Sequence, residues 1–402
     1  MKLTKIKSCL LSGLCFTSIL ANTALMNIGG VDQGGFGIPL FWVFSILLFP
    51  FIINDFKYQF WLCLACFTFI FLIAVISNID YAYSYLTQYV SRIFLFLIFL
   101  CFIFFKDINF PRLLIKIHYF LIFIVLLSVT AFILLIFLNF DLGLYNIANS
   151  YSFGFRGGQL NEVNGWANQI RLTGVWSEPS YLTIPLMMLI YLNNNHHTKF
   201  YWLVLILSIS MIIFSFSRSI WISIAILIVF SSFKYSKTLT KIFFKWRLTA
   251  VVMIFFVGSL SFIFYGNLAG NDSSTTGRVG SAVVGGEMIK AHPLLGMGPG
   301  TFSKLKNEPE FSVSNVDISD ENVIHSAFIS IWQQFGIVGW VFFFLPYYVL
   351  LKNINYNHFH KTFPYIFSLP VVLVVSGDFT YFSYYWLFLG VLFVQHDFGG
   401  NK

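Results

Sequence analysis

The chain has 402 residues, of which 58% are hydrophobic and only 10% charged, and Phe alone occurs 51 times. A soluble domain carries about 25% charged residues, and no soluble core of this length hides so much apolar side chain, so lipid must be the solvent for most of it. The net charge of +8 does not point to nucleic acid, because the charges sit in short loops between apolar runs and build no continuous basic face.

The chain opens Met1-Lys2-Leu3-Thr4-Lys5-Ile6-Lys7 and then runs apolar to Met26. The basic start, with small residues at Ala21 and Ala24, has the look of a signal peptide. Many apolar runs follow it, however, and an uncleaved first span is expected. With about 20 residues needed per span, about twelve spans are expected, at roughly 8–26, 39–54, 59–77, 88–105, 115–139, 179–193, 200–216, 219–233, 248–266, 325–351, 362–377 and 380–395. The last two also read as one re-entrant pair. The expected fold is therefore all-α, a polytopic membrane helix bundle forming one integral domain over 1–402. Two long loops, 140–178 and 267–324, fall on the same face. The five cysteines, Cys9, Cys15, Cys63, Cys66 and Cys101, all lie in apolar runs. The Cys63–Cys66 spacing has no second pair or His beside it, so no metal or redox role is assigned and no loop depends on a disulfide.

Orientation follows Lys and Arg. With the N-terminus in the cytoplasm and spans alternating, 16 of the 24 basic residues fall inside and 13 of the 16 acids outside. Both termini are then cytoplasmic and both long loops extracytoplasmic. The basic residues left outside are Arg92, Arg156, Arg171, Arg218, Arg278, Lys290, Lys304 and Lys306, which are five of the seven Arg but three of the 17 Lys. Topology does not distinguish the two cations. A planar, permanently charged guanidinium fork is what phosphate recognition needs, whereas ordinary pairing with the outer acids would need nothing beyond charge.

Four stretches on that face carry chemistry-bearing side chains. In Arg171-Leu172-Thr173-Gly174-Val175-Trp176-Ser177-Glu178-Pro179-Ser180, Glu178 sits at the mouth of a helix. The helix dipole and a first-turn proline explain the Glu-Pro pair, but they leave Arg171 unexplained on a loop poor in charge. Ser217-Arg218-Ser219-Ile220-Trp221 holds Arg218 between two spans at the membrane surface, where a charge is either functional or snorkels to headgroups. The second long loop contains Thr276-Gly277-Arg278 and His292-Pro293-Leu294-Leu295-Gly296-Met297-Gly298-Pro299-Gly300-Thr301-Phe302, in which the Gly-x-Gly pair is a phosphate loop or a tight turn. Last comes His325-Ser326, then nine residues, then Gly336-Ile337-Val338-Gly339. His325 caps a span on the outer face, and its imidazole is the side chain best suited to proton transfer near neutral pH.

In that order, the SRSIW stretch, Gly277-Arg278, HPLLGMGPGTF and His-Ser-x9-Gly-x-x-Gly resemble the superfamily of O-antigen ligases and O-antigen polymerases, bacterial inner-membrane glycosyltransferases. The motifs cover about 210–345. The segment RLTGVWSEPSYL is similar to one in the polymerase branch, while the His-Ser-x9-Gly-x-x-Gly spacing also fits the ligase signature. The resemblance implies a GT-C-like membrane fold and an undecaprenyl-pyrophosphate-linked glycan as donor. It implies a lipid-linked repeat unit as acceptor in a polymerase, or lipid A-core in a ligase. A chain-length-regulating membrane protein is an implied partner. On this reading Arg218 and Arg278 hold the pyrophosphate, His325 or Glu178 is the general base, and Arg171 orients Glu178 or binds a second phosphate. No cofactor or metal is needed, and the acids Asp317, Asp320 and Glu321 read as a solvated patch. A flippase or transporter is the non-enzyme alternative. It would place ionisable groups or broken helices at mid-membrane and show related halves.

Overall fold

The structure, a computed structural model, describes residues 2–20, 24–28, 36–55, 94–105, 107–138, 172, 176, 179–196, 200–266, 273–298, 300–311, 318, 324–375 and 383–394. Helices dominate them. In chain order they are α1 (Lys2–Ile19), α2 (Leu40–Asp55), α3 (Phe94–Phe104) and α4 (Phe110–Leu138). After a 3-10 turn at Pro179–Leu182 come α5 (Thr183–His196), α6 (Tyr201–Phe214), α7 (Arg218–Phe233), α8 (Lys237–Lys245) and α9 (Arg247–Gly266). The remainder are α10 (Ser273–Ala291), α11 (Phe302–Leu305), α12 (Ala327–Asn353), α13 (Tyr356–Val375) and α14 (Ser383–Val394). One antiparallel pair, β1 (Ala24–Ile28) with β2 (Phe36–Pro39), joins α1 to α2 in register Ile28↔Phe36.

Helices occupy every expected span except 59–77, which lies outside the described residues. Length and apolarity alone qualify only Phe110–Leu138 as a crossing helix among the described residues, or up to three if each bent pair counts as one span. The first span is displaced. Helix α1 runs from Lys2 to Ile19, and its basic start is accommodated because Lys7, only 5% exposed, donates to Asp107 at 2.8 Å and lies 4.1 Å from the Phe105 ring. A paired, ring-covered ammonium can sit inside a buried helix where a bare one cannot.

The outer surfaces are apolar. On α4, Ile115, Tyr119, Phe123, Leu126 and Ile133 are exposed while Leu114, Ile117, Leu121, Val125 and Phe132 are buried. On α6, Trp202, Ile206, Ile209 and Ile213 are exposed opposite Val204, Leu207 and Met211. Steps of three, four and seven residues put each exposed set on one face. A helix with apolar residues on both its packed and its open face belongs in lipid.

The chain divides into two compact units: Met1–Asp55 with Leu97–Ile226 and Phe382–Lys402, and Phe56–Phe96 with Leu227–Tyr381. In the first, α1 packs on α2, α4 and α14. Gly13 lets α1 come so close that a Cβ there would overlap the Phe44 ring. One end of this unit gathers the end of α1, where Ser383 Oγ donates to the Ser18 carbonyl at 2.9 Å, and the Lys7–Asp107 pair marks the other. In the second, Phe255 of α9 is wrapped edge-on by Trp340, Phe343, Phe344 and Tyr347, with centroids 5.2–6.0 Å away. Lower on the same unit, Phe243, Phe363 and Phe367 interlock at 5.0–5.3 Å.

Candidate functional site

The second long loop is folded rather than open. Ala282, Val284, Met288, Met297, Phe302, Phe311, Ile318, Ile324 and Ile329 form one buried apolar cluster. Ser, Thr and Gly dominate the first half of α10, so the segment lacks the apolar run that would mark a span, and a helix was not expected there. Its first turns are buried almost all round, Val279, Gly280, Ser281 and Ala282 in succession, and Met288 continues into the apolar cluster. Lys306, counted among the outer cations, is 4% exposed and donates to the Ile318 carbonyl at 2.8 Å. It therefore ties this loop together from inside.

The glycine-rich run and the Gly-x-x-Gly stretch meet in space. Gly336 adopts φ 65°, ψ −167° inside α12, a region only glycine enters without strain. The helix is interrupted there, and a second bend follows between Trp340 and Phe343, where the axes of Ala327–Trp340 and Phe343–Asn353 differ by 57°. The expected single span 325–351 is thus two segments. The interruption at Gly336 brings the rings of Phe328 and Trp340 to 4.1 Å, tilted by 51°, whereas twelve residues of straight helix rise about 18 Å.

Such a break frees backbone groups that must be paired. The loop supplies the partners: Met297 N donates to Gln333 O at 2.7 Å, Gly298 N to Gln334 O at 2.9 Å, and Ile337 N donates to Pro293 O at 3.0 Å. Trp332 Nε1 adds a bond to Pro293 O at 2.9 Å. Gln333 Nε2 donates to Thr301 Oγ1 at 2.9 Å, and Thr301 Oγ1 donates to Gly298 O at 2.7 Å. The backbones approach so closely that a Cβ at Gly296 or at Gly336 would overlap main-chain atoms of the other strand. The Gly-x-Gly pair is therefore a turn that plugs a broken helix. Gln333, Thr301 and Ser330 were not singled out from the sequence. For Ser330 and Gln333 the signal was polar residues at helical spacing inside an apolar run.

This scaffold positions two of the sequence candidates. Arg278 is half-buried on α10, where its carbonyl accepts the Ser281 hydroxyl at 2.8 Å. Seven residues on, Gly285 brings α10 against the start of α12, and a Cβ there would press on the side chains of Ile324 and Ile329. His325, half-buried, lies between Ile324 and Ser326, the residue that opens α12 in extended conformation. Arg278 and His325 thus stand on elements packed directly together. His292 is exposed, and its carbonyl takes Gly296 N at 3.0 Å as part of the turn.

The other candidates belong to the first unit. The backbone of Arg218 opens α7 just after Phe216, a non-glycine residue at φ 45°; its side chain lies outside the described residues. So do Arg171 and Glu178. Their segment is nevertheless pinned at two described points. Leu172, fully buried, donates its N–H to Phe214 O at 2.9 Å, and Trp176, 1% exposed, donates Nε1 to Ile19 O at 3.2 Å. Both acceptors are orphan carbonyls at helix C-termini, so Leu172 and Trp176 cap the ends of α6 and α1.

Residues 203–344 match the family model described as O-antigen ligase. The match covers about a third of the chain and supports the O-antigen ligase and polymerase superfamily, a class of glycosyltransferase-type membrane enzymes. Arg218, Arg278, His325 and the break at Gly336 fall inside it. No curated protein and no solved structure matches the chain.

Proposed function

We propose that the chain is a metal-independent glycosyltransferase that moves a glycan from undecaprenyl pyrophosphate onto a lipid-linked oligosaccharide repeat unit, as a polymerase of O-antigen or a related surface polysaccharide. The observation that carries the reading is the family match over 203–344. It contains the Arg278 helix and the His325 helix start, which pack together. The reaction faces the periplasm of the bacterial inner membrane, with both termini cytoplasmic. A chain-length-regulating membrane protein is the partner that the resemblance suggests.

In this mechanism the acceptor hydroxyl oxygen attacks the anomeric carbon of the donor glycan. The hydroxyl proton passes to His325, or to Glu178 if that carboxylate is the base. The anomeric carbon–oxygen bond breaks with its electron pair on undecaprenyl pyrophosphate. Arg278 and Arg218 stabilise that charge as it leaves, and Arg171 orients Glu178 or holds a second phosphate.

The polymerase assignment over the ligase rests on the RLTGVWSEPSYL segment; the matching family is itself described as a ligase. Deleting the gene and resolving surface polysaccharide by gel separates the two. A ladder collapsed to a single repeat is the expected result. Loss of all attachment to lipid A-core makes the chain a ligase, and an unchanged ladder overturns both.

A further inference from the structure

The segment Lys234–Arg247 takes no part in the proposed reaction, yet it is the most basic stretch of the chain. It holds Lys234, Lys237, Lys241, Lys245 and Arg247, and no Asp or Glu occurs between residues 197 and 271. The sequence alone reads it as a cytoplasmic loop, but it is helical. The chain turns by 108° between Ser219–Phe233 and Lys237–Lys245. Ser236 starts the new helix by accepting Leu239 N, so α8 lies nearly across the direction of α7.

Three faces of α8 do three things. Thr240, Phe243 and Phe244 face the second unit. Thr240 is buried, Phe243 packs on Phe363 and Phe367, and Phe244 packs on Phe359 at 5.2 Å and Tyr356 at 5.4 Å. Leu239, Ile242 and Trp246 form a second face, exposed at 38%, 52% and 57%. Lys237, Lys241 and Lys245, four residues apart and all exposed, form the third. The turn before α8 is held by His360, whose Nε2 lies 2.7 Å from Lys234 O. The helix also sits at the end of the unit away from the glycine-rich loop. It packs on the start of α13, just past the end of α12, whereas the glycine-rich loop bonds to α12 near Ile337.

We propose that α8 lies in the plane of the bilayer and holds anionic phospholipid headgroups against Lys237, Lys241 and Lys245. The apolar face of Leu239, Ile242 and Trp246 is exposed among the described residues and suits the upper acyl region. The neighbouring row of ammonium groups, with no acid in its own stretch of sequence, then sits at phosphate depth, which is how a basic in-plane helix binds a charged membrane surface. Charge complementarity selects the anionic headgroup over a zwitterionic one. The inference is independent of the glycosyl-transfer reading and stands or falls by itself.

The test uses the full-length protein in mild detergent and measures its affinity for fluorescent phosphatidylglycerol and phosphatidylcholine. Wild-type protein is expected to prefer phosphatidylglycerol, the more so at low salt. The triple variant Lys237→Gln, Lys241→Gln, Lys245→Gln is expected to lose about tenfold or more of that affinity, near fivefold per charge as an upper measure. The triple Lys→Arg variant keeps it, and Lys290→Gln, at the other end of the unit, leaves it unchanged. A thermal melt of each variant shows that the fold survives. Equal affinity for both lipids, or an unaltered phosphatidylglycerol affinity in a folded triple Gln variant, overturns the proposal. Displacement of the lipid by millimolar inorganic phosphate, or by a short acidic peptide or oligonucleotide, overturns it in favour of a free-anion or macromolecular partner.

Discussion

The two halves of α12 are built by different physics. Before Gly336 the helix buries Ser326, Ser330, Gln333 and Gln334, and its geometry is set by hydrogen bonds to the 293–301 loop. After Gly336, beyond the Ile337 bond to Pro293 O, it presents Trp340, Phe343, Phe344 and Tyr347 to Phe255, and ring packing holds it. Hydrogen bonds fix direction to within a few tenths of an ångström, and aromatic packing tolerates repacking. The half that carries His325 is the directionally fixed one, as a site for chemistry requires. The other half anchors the unit among apolar neighbours.

The sharpest way to break this contrast is at the join. Gly336→Ala places a Cβ into the Leu294 carbonyl at a φ of 65°, and it should cost more than about 4 kcal/mol or prevent folding. Thermal unfolding of the detergent-solubilised protein reads it, and a wild-type melt for the variant would mean that the break is not required. Next in size, Phe255→Ala should cost about 3 kcal/mol by opening a cavity among four rings, with Phe255→Leu recovering most of it if shape matters less on that side. Thr301→Val strands Gln333 Nε2 and removes the bond to Gly298 O, for about 1–3 kcal/mol. It should also loosen the loop, read as faster amide exchange at Met297 and Gly298. The smallest effect is Gly286→Ala. Nothing lies within 4 Å of its Cβ position, so it should stabilise α10 by roughly 0.5–1 kcal/mol, while Gly285→Ala beside it destabilises by pressing on Ile324 and Ile329.

What could be read in the sequence was whatever depends on local pattern. Apolar runs announced the helices, and the order of Arg218, Arg278, HPLLGMGPGTF and His325 announced the resemblance that the match over 203–344 supports. What could not be read depends on contacts between distant residues. The spacing of Gly296 and Gly336 gives no sign that their backbones touch, so a turn and a phosphate loop looked alike. The start of α1 at Lys2 needed Asp107, a hundred residues away, to make a buried lysine acceptable. Helix α8 was legible in principle, since Lys237, Lys241 and Lys245 repeat every fourth residue. A short basic connection between two apolar runs was nevertheless read as a loop. Arg171 and Glu178 remain sequence candidates only, on a segment whose ties at Leu172 and Trp176 are structural.

The central claim is that the Arg278–His325 side of the second unit carries the chemistry. It is tested most directly by single-turnover transfer in purified protein supplied with lipid-linked repeat units, comparing His325→Asn with wild type and measuring donor affinity alongside. General base catalysis supplies about 10²–10⁴-fold. The account therefore predicts a rate at least about a hundredfold slower in His325→Asn with donor affinity retained. An undiminished rate, or unchanged chemistry with weakened donor binding, would contradict it.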